Sequence, residues 1–363
     1  MKLLILFLLL SISTINLHAQ PATELPLPKI VLTDTIRRTE VKDQSQSPTC
    51  WVFGTNSLFE SDLLKKYELR MNLSEMYIAR YAYIDKAKQY LASDGKTYFA
   101  GGGQFHDVLR VVNRFGMVPE EVYSGKAAKY SNHDHSAMDT AMKRFMEPLL
   151  AQGKKTLTAN ESRQLNDTLD KYLGKLPQIF CYQQEEYNPQ TFAKQVLCFQ
   201  NDYVELMSFA DQPLYKKCLL VDKYNWAGDS LYNISLEDMQ MVVDTALARG
   251  WSVGWEGDVT EPGFNYNAGY AAVPDSAFDM EEKRCDDFKT EKTVRDHMLH
   301  LVGAGRDENN KKWYYLKNSW GTWLSKYRGY LFMQESYFKL KTMIMMVNKE
   351  ALPAQLKEKL GLK

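Results

Sequence analysis

The stretch Gln44-Ser45-Gln46-Ser47-Pro48-Thr49-Cys50-Trp51-Val52-Phe53 decides how the rest of the chain is read. Ser47 is a good helix N-cap and Pro48 suits the first helical position. Trp51, Phe53, Leu58, Leu63 and Leu64 then follow at roughly helical spacing, so a helix is expected with Cys50 in its first turn. Unpaired N–H groups and the macrodipole at such a place favour an anion. The thiol pKa is therefore expected to fall and the thiolate to become available. The competing reading is a small buried hydrophobe beside Trp51, and it loses ground only if partners for a nucleophile occur elsewhere.

A nucleophilic cysteine needs a general base, usually histidine. Beyond the N-terminal leader discussed below, the candidates are His106, His133, His135, His297 and His300. His133 and His135 fall in a polar run expected to be a solvated loop, and His106 begins a helix and reads as surface. His297 enters an apolar strand and is followed by Asn318 at the end of a second strand. Two antiparallel neighbours would set the Asn amide beside the imidazole and fix its tautomer, the role of a third catalytic group. His300, three positions on, is expected on the opposite face as a core residue. Acyl transfer also needs oxyanion donors. The Cys50 N–H supplies one, and the Gln44 side chain is the candidate for the other.

Outward from this site the chain is helix-rich first and strand-rich last. Residues 74–91, 106–115 and 136–175 read as helices, with Gly101-Gly102-Gly103 as a loop. Residues 251–255, 299–304, 313–317 and 329–333 read as strands, which suggests α+β with segregated halves. Lys2, the apolar run 3–10 and Leu17-His18-Ala19 read as a signal peptide over 1–19, too short an apolar run to anchor the chain in a membrane. An exported protein with five cysteines, Cys50, Cys181, Cys198, Cys218 and Cys285, has at least one unpaired thiol; two disulfides or none remain open for the others. Forty-five Lys+Arg balance 45 Asp+Glu, so there is no long-range field to attract nucleic acid. With 45% hydrophobic residues the composition is that of a globular protein rather than a disordered one.

The Cys50 segment resembles the active-site segment of papain-like cysteine peptidases, with Ser47 where their Cys-Gly-Ser/Ala-Cys-Trp/Tyr motif has its first Cys. Asp296-His297 and Asn318-Ser319-Trp320-Gly321 are similar to the family's His and Asn segments. More specifically, Asn72-Leu73-Ser74-Glu75-Met76-Tyr77, Gly102-Gly103-Gln104-Phe105, Phe115-Gly116-Met117-Val118-Pro119, Gly257-Asp258-Val259 and Val347-Asn348-Lys349-Glu350-Ala351-Leu352-Pro353 resemble the bleomycin hydrolase and aminopeptidase C branch. The resemblance implies a papain-like two-lobe α+β fold. An extended segment 20–42 leads into a peptidase domain 43–363. That domain has a helical left lobe with an insertion over about 43–245, a β-rich right lobe over about 249–348 and a tail 349–363. It implies catalysis by Cys50, His297, Asn318 and Gln44. Gly102, Gly103 and Trp320 fall in the substrate cleft, Trp320 also shielding the His–Asn bond. Peptides are the implied substrates, no metal or organic cofactor is required, and relatives form hexameric rings whose C-terminal arm restricts cutting to peptide ends. Aminopeptidase action is expected. Endopeptidase action, a catalytically silent peptide-binding protein, and thiol-dependent acyl transfer are the alternatives.

Overall fold

The computed structural model describes residues 27–126, 132–199, 201–274 and 279–362, so the expected signal peptide lies outside it. In chain order the first half runs β1 (Val31–Thr35), α1 (Cys50–Tyr67), α2 (Glu75–Ala92), α3 (Phe105–Phe115), α4 (Ser136–Ala151), α5 (Ala159–Leu173), β2 (Phe180–Tyr182), β3 (Glu185–Tyr187) and α6 (Pro189–Phe192). The second half runs β4 (Tyr203–Met207), β5 (Lys216–Leu219), β6 (Ser230–Asn233), α7 (Leu236–Ala248), β7 (Val253–Gly257), β8 (Phe264–Asn265), β9 (Tyr270–Ala271), α8 (Met280–Lys289), β10 (His297–Arg306), β11 (Lys312–Lys317), β12 (Tyr330–Gln334), α9 (Glu335–Lys341), β13 (Thr342–Asn348) and α10 (Ala354–Leu360). This is the α+β order expected.

Local chemistry sets the helix starts. The Ser74 side chain accepts from the Tyr77 N–H at the head of α2, and Asp107 in the first turn of α3 accepts from the Gln104 N–H at 2.9 Å. The head of α1 differs from expectation. Its cap is Thr49, not Ser47, whose hydroxyl instead bonds the Gln44 carbonyl at 2.7 Å and Thr49 Oγ1 at 2.6 Å. Cys50 is still the first helical residue. From Trp51 to Leu64 every residue of α1 is buried, which makes it the central helix.

The main sheet has the order β5-β6-β4-β13-β7-β10-β11-β12-β9-β8, with β1 alongside β10. Its two faces serve two cores, because strand side chains alternate. Met298, Ile344 and Met346 face the cluster built with α1 to α5, while Leu299, Leu301, Met345 and Val347 face the cluster shared with α7, α9 and α10. Thus β4, β5, β6 and α7 belong with the sheet, although their sequence positions precede the expected right lobe. The extended N-terminal segment contributes β1. Helix α1 lies close under the sheet at Gly54, where an added Cβ would stand 3.2 Å from Met298 Cβ. That approach brings the head of α1 to the first residues of β10.

Candidate active site

Cys50 begins α1, and the backbone N–H groups of Met298 and Trp51 lie near enough to its sulfur to favour a charge there. Those donors favour the thiolate, as a helix start should. Burial outweighs them, and with Glu256 and Asp296 nearby the thiol is pushed up to about 12, the opposite of the fall expected from sequence. The helix dipole was legible in the sequence and the desolvation was not.

Asn318 follows β11, the antiparallel neighbour of β10, and its Oδ1 lies 2.7 Å from His297 Nε2. The same oxygen accepts from the Ser319 N–H at 2.7 Å, which fixes which end of the amide faces the ring. Nε2 therefore carries the proton, and Nδ1 makes no hydrogen bond among the described residues. Burial lowers the imidazole to about 4, against the pull of the Asn318 bond. The Trp320 ring lies over His297 at 4.5 Å between centroids, and Tyr266 meets Trp320 edge-on at 4.9 Å. Gln44 is clamped by the same segment. Its Oε1 accepts from Ser319 Oγ at 2.7 Å, its Nε2 donates to the Ser47 carbonyl at 2.9 Å, and its backbone N–H donates to the Ser319 carbonyl at 2.8 Å. One amide hydrogen of Gln44 is left over.

Cys50, His297, Asn318, Gln44 and Trp320 are thus brought to one place. Buried Gly103 has no backbone hydrogen-bond partner among the described residues, and the Trp51 ring lies where a Cβ would point. Gly102 is different: Lys86 Nζ holds its carbonyl, and a Cβ there would fall 2.5 Å from the Tyr224 ring. Its backbone is half-buried, with Tyr224 on the side where a Cβ would point.

His300 faces away, its Nδ1 2.8 Å from Ser57 Oγ of α1. His106 is paired with Glu205 at 2.9 Å. His133 and His135 are buried rather than solvated, because Gln46 ladders to them (Gln46 N–H to the His133 carbonyl, 2.9 Å) and they pack against Phe53 and Tyr83. All five cysteines are free thiols, Cys181 and Cys198 exposed, Cys218 and Cys285 buried. The sequence pointed to no role for Ser319, Tyr224, Glu256 or Arg295. Ser319 was visible only as part of a motif, and the other three reach the site through folding alone.

The chain is similar to aminopeptidase C of Lactobacillus helveticus, 22% identical over 364 residues covering 87% of this chain and 81% of that one. It is also similar to mitochondrial cysteine proteinase 1 of Saccharomyces cerevisiae (strain JAY291), 22% identical over 382 residues, 91% of this chain and 78% of that one. Its fold matches the crystal structure of PepW from Lactobacillus rhamnosis HN001 (DR20) with a TM-score of 0.73 at 17% identity, over 91% of this chain and 84% of that chain. The papain-like α+β expectation stands. The model of the Peptidase C1-like family matches residues 23–362, and the chain belongs to that family of cysteine peptidases.

Proposed function

We propose that the protein is an exported aminopeptidase that hydrolyses peptide bonds through Cys50, His297 and Asn318. The observation that carries this reading is the imidazole whose Nε2 is committed to Asn318, on the strand start whose Met298 N–H lies near the Cys50 sulfur. Cys50 Sγ attacks the peptide carbonyl and its proton passes to His297 Nδ1. The developing oxyanion takes the Cys50 N–H and the spare Gln44 hydrogen. His297 then gives the proton to the leaving amine, and the acyl-enzyme is hydrolysed by a water that His297 deprotonates. Asn318 holds the ring in the tautomer this requires. Aminopeptidase action is supported by the similarity to aminopeptidase C, export by Lys2 and the apolar run 3–10, and a homo-oligomer by the family resemblance alone.

The test is a mixed peptide library read by mass spectrometry. N-terminal residues should be released one after another, and Cys50→Ala should abolish release. His297→Ala should lower the rate by roughly 10²–10⁴-fold, with Asn318→Ala milder. Internal cuts would make the protein an endopeptidase, and binding without cleavage a silent peptide-binding protein. Recovery of a chain beginning at Gln20 outside the cytoplasm checks export.

A further inference from the structure

The loop 220–229 between β5 and β6 is held as a rigid strap over the head of α3. Trp226 Nε1 donates to Asp107 Oδ2 at 2.9 Å, Asn225 ties the loop to itself through the Leu220 and Asp229 carbonyls, and the Tyr224 N–H donates to Asp222 Oδ1 at 2.7 Å. Arg295 pairs with Asp222 from beneath and lies 5.1 Å from the Tyr224 ring, while Tyr98 packs edge-on at 5.0 Å. The strap thus sets the Tyr224 ring on Gly102, close enough to Cys50 that ionising one opposes ionising the other.

Two acidic side chains lie near the same thiol, and burial pushes Glu256 up to about 8 and Asp296 up to about 6. Glu256 is the cross-strand partner of Met298, whose N–H meets the Cys50 sulfur, so its side chain shares the Met298 face. Its Oε1 is held by Arg295, but its Oε2 is buried with no hydrogen-bond partner. Asp296 accepts from the Val259 N–H at 2.9 Å, with Thr260 also near enough to favour its charged form, and among the described residues no hydrogen bond reaches its buried Oδ2. Two such oxygens next to a nucleophile are costly unless a donor arrives.

We propose that Tyr224 closes the acyl side of the cleft and that Glu256 and Asp296 receive the α-ammonium of the substrate, so that only chains with a free amino end are accepted. The inference rests on the peptidase reading above and names how its specificity is set. His297 must protonate the leaving amine, so the leaving side lies toward His297 and Trp320. Tyr224 covers Gly102, which the family resemblance places in the substrate cleft, and the acyl half of the substrate is assigned to that side. A substrate continuing past its first residues on that side would have to pass through the Tyr224 ring. An ammonium satisfies both orphan oxygens with charge-assisted hydrogen bonds, whereas an internal peptide brings no cation and leaves them unpaired.

The test uses the full chain and an aminoacyl fluoromethyl ketone, free at its amine or N-acetylated, with labelling of Cys50 read by mass; iodoacetamide labelling verifies the thiol in each variant. The wild type should take the free-amine reagent at least about tenfold faster. Tyr224→Ala should raise the rate for the acetylated reagent, and Tyr224→Leu should raise it less. Glu256→Gln, which keeps an acceptor for Arg295, should slow only the free-amine reagent, as should Asp296→Asn. Equal rates in the wild type, or an unchanged ratio in Tyr224→Ala and Glu256→Gln, would overturn the proposal. Peptide hydrolysis is scored separately. Selective labelling without hydrolysis would sink the peptidase reading and leave this one standing, and hydrolysis without selective labelling would do the reverse.

Discussion

Burial pushes Cys50 and His297 each toward its neutral form, the thiol up to about 12 and the imidazole down to about 4. A proton passed from one to the other changes that balance, because it leaves opposite charges side by side in a medium where attraction is strong. The pair then titrates as a unit rather than as two lone groups. Removing the imidazole should therefore raise the thiol pKa, since Cys50 keeps its burial and the two carboxylates but loses its cation. In His297→Ala, iodoacetamide should label Cys50 at pH 6 far more slowly than in the wild type, with reactivity returning only in strong alkali. Exposed Cys181 and Cys198 provide the internal reference, since both are free and lie on the surface. Equal labelling of Cys50 at pH 6 in the two proteins would show that His297 is not its partner. That Cys50, His297 and Asn318 come together was legible because their neighbours form motifs. The sign of the thiol shift was not, since it depends on burial by residues remote in sequence.

Elements were legible where their chemistry is local. Ser74 announces α2, and the alternating runs near residues 251, 299, 313 and 330 announce β7, β10, β11 and β12. Strand β13 was not read: Thr342–Asn348 is buried on both faces, so it has no alternation to see. Short β5 and β6 carry no period long enough to register. Which half an element joins is a matter of pairing, and β4 is claimed for the sheet by β13 and by its contact with α3 through His106 and Glu205. That contact makes a pH prediction. Burial alone would lower His106, but Glu205 and Asp229 outweigh it and raise the imidazole to about 9. The folded form thus binds the proton more tightly than the unfolded chain, whose histidine titrates near 6.5. The contribution is complete below about pH 6.5 and is lost as pH rises through about 9. Its upper bound is about 3 kcal/mol, from 1.36 kcal/mol per pKa unit. The melting-temperature advantage of the wild type over His106→Gln should be largest at pH 6 and shrink by pH 10. An advantage independent of pH would mean that His106 is not charged in the folded protein.

Taken whole, the molecule has one large sheet with helices on each face, and the described end of the chain is fastened to the face away from α1. Leu356 and Leu360 of α10 are buried in the second core. Arg249 Nη1 donates to the Leu352 carbonyl at 3.0 Å, Lys359 reaches Asp238 at 3.3 Å, and Gly361, at φ 64°, closes the helix in the left-handed conformation that glycine tolerates best. Leu362 packs against the same core and lines a surface cavity with His106, Glu205 and Tyr232, a cavity that none of Cys50, His297 and Asn318 lines. The family resemblance implies a C-terminal arm that restricts cutting to peptide ends, whereas Leu356, Leu360 and Leu362 among polar residues also fit an amphipathic helix docked on the surface. The packing of α10 favours docking, and Tyr224 with Glu256 and Asp296 offers the selection from elsewhere. Two truncations separate the roles. Deleting residues 354–363 removes two buried leucines and should cost about 3–6 kcal/mol in a urea titration, at about 1.5–3 kcal/mol for each. Deleting only residues 361–363 leaves those leucines in place, so it should keep most of the stability and leave the preference for free-amine over N-acetylated substrates unchanged. Loss of that preference in the short deletion, with folding intact, would make the tail the selector and take that role from the Tyr224 strap.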